Sequence, residues 1–265
     1  MNRITQLFNS KPNDNLNVYF TAGYPELNDT PRVLKALEKA GADLVEIGMP
    51  YSDPVADGET IQQSNDRALL NGMNVRNLFA QLEGIRESVN LPILLMGYIN
   101  PVLQYGVRNF CQKCAEVGVD GLILPDLPLD VYQKEYKDIF DEYGIVNIFL
   151  VTPQTSEARI RQIDAIGEGF IYVVSSASVT GSKSGVSHNM EEYFERINSM
   201  NLKNPTLIGF GIKDNDTFQK ACRYSNGAII GSAFIRVLQE STDLENDIQR
   251  FIQTVKANKS QEAIV

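Results

Sequence analysis

The sequence predicts an α/β fold, a closed (β/α)8 barrel of the TIM type with an extra helix after the second strand. Apolar runs of strand length alternate with segments of helical periodicity along the 265 residues. No Gly-x-Gly-x-x-Gly motif follows the first run, which argues against an open dinucleotide-binding sheet. No linker or change in composition divides the chain, so residues 1–265 are predicted to form one domain.

Eight strands are expected from the apolar runs. Most of these runs are near-continuously apolar, as in parallel strands that are buried on both faces. The predicted strands are Val18–Thr21, Leu44–Gly48, Ile93–Met96, Gly121–Leu124, Val146–Val151, Phe170–Ser175, Thr206–Phe210 and Ala228–Ile230.

Helices are predicted between the strands. The segment Pro31–Ala40, for example, carries its apolar residues on one helical face. After the second strand, both Thr60–Leu70 and Val75–Val89 have a helical pattern, and this gives the extra helix. Three glycines come directly after helices, where a left-handed C-terminal cap is expected: Gly41, Gly118 and Gly144.

The composition excludes several classes of protein. The chain has 24 basic and 33 acidic residues and a net charge of -9, which disfavours non-specific binding to nucleic acid. No run approaches the roughly 18 apolar residues of a membrane span. The N-terminus lacks the apolar segment of a secretory signal, and three cysteines do not make a disulfide framework. We therefore expect a cytoplasmic protein.

Glu46 is the strongest catalytic candidate. It lies between Val45 and Ile47 in an otherwise apolar strand, where a carboxylate is unfavourable unless it is paired or functional. The functional interpretation is a general acid and base whose pKa is raised by apolar surroundings. The structural alternative is a buried glutamate that is hydrogen-bonded to a neighbouring strand.

Asp57 is the second candidate, in the polar loop that follows the same strand. In a barrel of this class the active site lies at the C-terminal ends of the strands. Asp57 also immediately precedes a predicted helix, so it could simply be an N-cap, and Asp53 before Pro54 could belong to a turn. Two acidic groups in different environments could divide acid and base roles.

Glycines at the ends of strands seven and eight indicate an anion site. Gly209-Phe210-Gly211 ends the seventh strand, and Gly231-Ser232 ends the eighth directly before a short helical segment. In barrels these two loops and the N-terminus of a short extra helix form a recurrent phosphate site. Because such a site uses backbone N–H groups, it suits an acidic protein. Tight turns are the alternative interpretation.

A Ser- and Gly-rich segment, Ser175 to Asn189, follows the sixth strand. A loop of this length at the catalytic face predicts a lid over the substrate, and a disordered surface loop is the alternative. Tyr172 has the parity to face into the barrel, where its hydroxyl either joins the site or packs in the core.

Metal chemistry is not predicted. Cys111 and Cys114 lie in a helical segment without a second Cys/His pair, which argues against a zinc site. His188 is the only histidine and lies in the predicted flexible loop, which argues against a serine-type triad and a multi-histidine centre.

The segment from Glu46 to Gly58, Glu-Ile-Gly-Met-Pro-Tyr-Ser-Asp-Pro-Val-Ala-Asp-Gly, closely resembles the signature of the tryptophan synthase alpha subunit family. This motif is highly specific, whereas the glycine pairs are shared with several phosphate-binding barrels. Other motifs also resemble the family, and they occur in the family's order over nearly the whole chain. They are Thr21–Pro25, Val179–Gly181, Gly209–Ile212 and Gly231–Ser232.

The resemblance implies cleavage of indole-3-glycerol phosphate to indole and glyceraldehyde 3-phosphate. Glu46 would protonate C3 of the indole ring and take the proton of the glycerol hydroxyl. Asp57 would bind the indole N–H and stabilise the cationic intermediate. The resemblance also implies an α2β2 complex in which indole passes to a β subunit that holds pyridoxal phosphate, so no cofactor is expected in this chain.

The resemblance assigns further residues. Tyr172 joins Glu46 and Asp57 in the catalytic set. The substrate contacts are expected from Tyr19, Ile123, Thr180, Gly181, Gly211, Gly231 and Ser232. The face toward the β subunit is expected to include Asp53, Asn100 and Pro101. Many members carry an arginine or another bulky residue where this chain has Ser176-Ala177-Ser178, so lid closure and its coupling to the β subunit are left open.

Two other functions stay open at this point. One is a sugar-phosphate isomerase of the histidine or tryptophan pathways, built on the same fold; the specific match from Glu46 to Gly58 argues against it. The other is a catalytically silent subunit that only activates its partner, and the retention of both carboxylates argues against that.

Overall fold

The computed structural model describes residues 1–54, 57–175, 188–209 and 211–257, with only the backbone at 188 and 189. The strands in these residues are parallel and form a closed barrel, in which each strand pairs with the next and β8 pairs with β1. The predicted (β/α)8 barrel is confirmed. The strands are β1 (Asn15–Thr21), β2 (Leu44–Gly48), β3 (Ile93–Met96), β4 (Gly121–Ile123), β5 (Val146–Val151), β6 (Ile171–Val174), β7 (Thr206–Gly209) and β8 (Gly227–Ile230).

Helices surround the barrel, and none in the described part of the chain is long and apolar enough to cross a membrane. They are α1 (Arg3–Ser10), α2 (Thr30–Ala40), α3 (Glu59–Leu70), α4 (Val75–Leu82), α5 (Ile99–Tyr105), α6 (Val107–Val117), α7 (Leu129–Val131), α8 (Lys137–Tyr143), α9 (Glu157–Ile166), α10 (His188–Ser199), α11 (Asn215–Cys222), α12 (Ser232–Glu240) and α13 (Leu244–Lys256). A π-helical turn, Tyr132–Tyr136, connects α7 to α8.

The three glycines that were predicted to cap the C-terminal ends of helices are confirmed as caps. Gly41, Gly118 and Gly144 cap α2, α6 and α8 with φ values of 88°, 81° and 67°, in the left-handed region that glycine favours. The extra helix after the second strand is present. The predicted extent of its second part was wrong, because Gly84 adopts a φ of 70° shortly after the end of α4 and a separate 3-10 turn, Ile85–Glu87, follows.

Strand β1 begins three residues earlier than its apolar pattern indicated. Asn15 and Asn17 interrupt the pattern, but both are fully buried. The Asn15 amide donates to the carbonyl oxygens of Lys11 and Asn226, at 2.9 and 3.1 Å. The start of this strand therefore tolerates a polar side chain because the amide N–H groups of Asn15 find acceptors inside the protein.

The barrel interior is filled by alternate residues of the strands, since successive side chains point to opposite faces. The inner cluster includes Leu44, Leu94, Ile123, Ile148, Tyr172, Leu207 and Ile229. Helix α1, which the sequence pattern did not predict, adds Ile4 and Phe8 to this cluster. The Phe8 ring lies 6.1 Å from that of Phe170, so α1 closes one end of the barrel.

Asp120, just before β4, connects α1, the 3-10 turn and β3 at this end of the barrel. Its carboxylate is 4% exposed and accepts from Arg3 at 3.0 Å and from Arg86 at 2.6 Å. It also accepts from the backbone N–H of Ile93, at 2.9 Å. Removing this anion would leave a largely buried guanidinium and a buried N–H group without their partner.

We expect Asp120→Ala to lower the free energy of unfolding by about 3–5 kcal/mol, as when one partner of a buried ion pair is removed. Urea unfolding measures this change. Asp130→Ala is the matched control, because Asp130 is 71% exposed in its pair with Arg159, and its loss should cost less than about 1 kcal/mol. Equal effects of the two substitutions would contradict the structural role of Asp120.

Candidate active site

Glu46 lies inside the barrel on β2 and is fully buried. Strand register places it beside Tyr19 on β1 and Leu94 on β3. Its sequence neighbours Val45 and Ile47 belong to the apolar layer between strands and helices, so the carboxyl group points the other way, into the barrel. The predicted burial of Glu46 is therefore confirmed.

The Glu46 carboxyl has one hydrogen-bond partner among the described residues. Asn17 Nδ2 donates to Oε1 at 2.5 Å, and Oε2 is buried without a partner among the described residues. Burial raises the pKa of Glu46 from 4.5 to about 8, and the Asn17 hydrogen bond opposes this rise. The carboxyl is thus mainly neutral at neutral pH, as a general acid must be.

Asp57 is not a helix cap. The N-cap of α3 is Gly58, while the Asp57 carboxylate accepts from the Tyr98 hydroxyl at 3.2 Å. Burial raises the pKa of Asp57, and the bond from Tyr98 opposes the rise. The two acidic groups therefore lie in different environments, with Glu46 the more deeply buried.

A small pocket opens beside Asp57. It is lined by Tyr19, Met49, Asp57, Asn65, Met96, Gly97, Tyr98 and Pro125. Two of its polar groups, Asn65 and Tyr98, were missed by sequence analysis. Asn65 on α3 is 3% exposed, and its Oδ1 has no partner among the described residues. Tyr98 comes two residues after β3, and a polar aromatic residue at a strand's C-terminal end was the available signal.

Two tyrosines approach glycines inside the barrel. A Cβ atom at Gly48 would collide with the hydroxyl of Tyr19, and one at Gly209 would collide with that of Tyr172. Burial, followed by the charge of Asp57, raises the pKa of Tyr19; burial, followed by the charge of Glu46, raises that of Tyr172. Both phenols therefore stay neutral hydrogen-bond donors, and Tyr172 faces inward as predicted.

The ends of β7 and β8 bring the predicted anion-binding groups to the same end of the barrel. Gly231 is the N-cap of α12, and Ser232 begins the helix. Gly231 lies against Tyr19, since a Cβ at Gly231 would be 3.6 Å from that side chain. Gly211 has a φ of 76°. The first N–H groups of α12 have no side-chain cap, which suits an anion.

Part of the predicted lid lies outside the described residues. Thr180 and Gly181 belong to that part, as does the segment Ser176-Ala177-Ser178. The prediction that His188 sits in the flexible loop was wrong, because His188 begins α10. The helical segment thus starts earlier than the Ser- and Gly-rich composition indicated.

The three residues predicted to face a partner lie on the outer side of the site. Asp53 and Asn100 are exposed, and Pro101 is half-buried. Asn100 donates to the hydroxyl of Tyr51 at 3.3 Å. The Tyr51 ring lies 5.3 Å from that of Tyr98, so this surface is in contact with the residue that binds Asp57.

Metal ligands do not cluster in the described ranges, where no group of three or more His, Cys, Asp or Glu side chains is arranged to hold an ion. Cys111 and Cys114 are buried free thiols on α6. Burial raises the pKa of the Cys111 thiol to about 12, so it is not a reactive thiolate.

A closed parallel barrel with a neutral buried carboxyl, a second carboxylate and an open helix N-terminus at one end defines a barrel enzyme suited to acid–base chemistry. The family model described as tryptophan synthase alpha chain matches residues 6–264. The chain belongs to this family, whose members cleave indole-3-glycerol phosphate in tryptophan biosynthesis.

Similar proteins match this chain over nearly their full lengths. The chain is 58% identical to a tryptophan synthase alpha chain of Flavobacterium johnsoniae, covering 97% of this chain and 100% of that one. It is 54% identical to that of Christiangramia forsetii, covering 97% and 99%. A crystal structure of tryptophan synthase subunit alpha from Legionella pneumophila superposes with a TM-score of 0.86 at 29% identity, covering 96% and 97%.

The raised pKa of Glu46 predicts a pH-dependent penalty on stability. Below pH 4.5 the group is protonated in both the folded and the unfolded chain. As pH rises toward about 8, the unfolded chain loses this proton and the folded chain keeps it, so stability falls. Glu46→Gln removes the penalty, and its free energy of unfolding should exceed that of the parent by a few kcal/mol near pH 8.

Urea unfolding of parent and Glu46→Gln between pH 5 and 8 tests this expectation, with Glu59→Gln as a control for an exposed glutamate. Parent and Glu46→Gln curves that stay parallel over this range would show that Glu46 titrates normally in the folded protein.

Proposed function

We propose that Glu46 and Asp57 carry out the family's reaction in this chain, with Tyr172 beside them. The observation that carries the proposal is the neutral, buried Glu46 carboxyl, whose pKa of about 8 keeps an acidic proton inside the barrel at neutral pH. Asp57 lies in a pocket with Tyr19, Met49 and Met96, whose apolar surfaces suit an indole ring.

The proposed reaction is a retro-aldol cleavage. The neutral Glu46 carboxyl gives its proton to C3 of the indole ring, and the positive charge that develops at the ring nitrogen is stabilised by the Asp57 carboxylate. The Glu46 carboxylate then takes the proton of the glycerol hydroxyl next to C3. The bond between C3 and the glycerol carbon that carries this hydroxyl then breaks, and its electron pair returns to the ring. The products are indole and glyceraldehyde 3-phosphate.

The phosphate group is proposed to bind at the N-terminus of α12, through Gly231, Ser232 and Gly211. Open backbone N–H groups and the helix dipole favour an anion there. Ile123, in the inner cluster on β4, adds apolar contact. Thr180 and Gly181, outside the described residues, are proposed to complete the phosphate and lid contacts.

Glu46→Gln should lower kcat for indole release by about 100- to 10,000-fold, because it removes the transferable proton but keeps the shape of the side chain. Asp57→Asn should also lower kcat more than it raises KM. Indole-3-glycerol phosphate cleavage is measured with and without a β subunit. Glu59→Gln is the control: Glu59 is exposed, begins α3 two residues after Asp57 and should keep parental turnover.

Parental turnover by Glu46→Gln would rule out the proposed acid. A parent chain that stimulates the β reaction but releases no indole would instead identify a silent activating subunit. Tight binding of a reacting sugar phosphate, without binding of indole-propanol phosphate, would favour an isomerase.

An alpha chain implies a β partner. We propose an α2β2 complex in which the β subunit holds pyridoxal phosphate and receives the indole. A similar solved structure is the aminoacrylate-bound form of tryptophan synthase from M. tuberculosis, 29% identical with a TM-score of 0.84. We also propose that residues 1–265 form one domain and that the protein is cytoplasmic, in keeping with its free cysteines.

The proposed partner face includes Asp53, Asn100 and Pro101. Leu103, on the same helix as Asn100 and Pro101, is 46% exposed and gives this face an apolar residue. Leu103→Glu should weaken binding of the β subunit about tenfold or more, as measured by calorimetric titration. Leu70→Glu is the control, because Leu70 on α3 is also exposed and lies outside the proposed face. Equal affinities of the two variants would place the interface elsewhere.

A further inference from the structure

Asn17 and Glu46 form a buried pair inside the barrel. Asn17 is fully buried on β1 and is paired in register with Leu44, two residues before Glu46 on β2. Its Nδ2 donates to Glu46 Oε1 at 2.5 Å. Asn17 Oδ1 and Glu46 Oε2 are both buried without a partner among the described residues, so no second hydrogen bond there draws either group away.

This geometry distinguishes the two oxygens of the carboxyl group. A primary amide N–H can donate to a carboxylate oxygen and also to the carbonyl oxygen of a neutral carboxylic acid. While Asn17 donates to Oε1, the proton of the neutral acid is on Oε2. After the proton has left, the same N–H group still holds Oε1, and Oε2 is the oxygen that can accept a proton.

We propose that Asn17 is the positioning residue of Glu46, and that its amide holds Oε1 in both protonation states so that Oε2 alone gives and takes the proton. This inference rests on the proposed function, since that function requires Glu46 to act first as an acid and then as a base. Asn17 does not itself touch the reacting atoms.

Asn17 is the main polar group that affects the pKa of Glu46 in the described structure. In the part of the chain that the structure describes, Tyr19 on β1 and Tyr172 on β6 are the titratable groups that interact with Glu46, and burial keeps both phenols neutral. Asp57 acts on the same two phenols from the loop after β2. On β3 the paired residue is Leu94, which cannot titrate. The hydrogen bond from Asn17 is the interaction that lowers the pKa of Glu46 against burial.

The test compares Asn17→Leu with the parent. Because the neutral acid starts the reaction, kcat/KM of the parent should fall as pH rises through about 8. Asn17→Leu removes the hydrogen-bond donor, so kcat/KM should decrease at a pH about one unit higher than in the parent. This is the effect of losing one hydrogen bond to a charged group. The variant's kcat should fall about tenfold or more because the carboxyl is no longer held, with little change in KM.

Asn147→Leu is the matched control. Asn147 is also a buried asparagine on a barrel strand, at 2% exposure, but neither of its amide atoms has a hydrogen-bond partner among the described residues. The same substitution there removes no hydrogen bond to Glu46, so it should leave the pH profile and kcat at their parental values.

A second readout does not depend on activity. Carbon-13 NMR of glutamate labelled at the carboxyl carbon follows the titration of Glu46 directly, and Glu46→Gln identifies its signal. The Glu46 titration should move upward in Asn17→Leu and further in Asn17→Asp, which replaces the donor with a second carboxyl group. Asn17→Asp also serves as the test if Asn17→Leu does not fold.

A folded Asn17 variant in which Glu46 titrates as in the parent would overturn the proposal, and this includes a variant that loses kcat without any shift in titration. If the parent chain cleaves no indole-3-glycerol phosphate, the proposed function fails. The NMR titration would still decide whether Asn17 controls the Glu46 carboxyl.

Discussion

The active site depends on one constraint, the burial of a carboxyl group inside a closed barrel. Glu46 lies between Tyr19 and Leu94, and among the described residues its carboxyl accepts one hydrogen bond, from Asn17 to Oε1. Removal from water favours the neutral acid, and this holds the proton that the proposed reaction needs. An open sheet edge would admit water to this position and restore an ordinary carboxylate. Closure of the barrel is therefore part of the proposed chemistry.

The proposed division of roles between the two carboxyl groups follows from how deeply each is buried. Glu46 is fully buried on a strand, whereas Asp57 lies on the loop above, with the Tyr98 hydroxyl as its donor. The less buried group is the easier one to keep ionised, so it suits the positive charge that the proposed reaction develops on the indole ring. Tyr19 interacts with both carboxyl groups, and Gly48 leaves room for its hydroxyl.

Sequence was sufficient for the barrel because strands buried on both faces have a recognisable apolar pattern, and Glu46 stood out by interrupting one. It was insufficient where a feature depends on a distant partner. Asp57 precedes a helix whether or not it is a cap. The two interpretations are separated by Gly58, which is the N-cap in the structure, and by the hydrogen bond from Tyr98, 41 residues away. Asn17 is separated from Glu46 by 29 residues, so their contact is recognised only once the pairing of β1 with β2 is known. The roles of Thr180 and Gly181 stay predictions from resemblance.

The acidic composition and the buried acid are consistent with each other. A lysine or arginine placed to bind the phosphate near Glu46 would lower the pKa of the carboxyl group and ionise it before substrate arrives. Among the described residues, burial and Asn17 are the only causes that shift this pKa. Backbone N–H groups at the start of α12 would attract the phosphate without a full positive charge. The bound phosphate would itself favour the neutral acid, so substrate binding and the protonation of Glu46 would support each other.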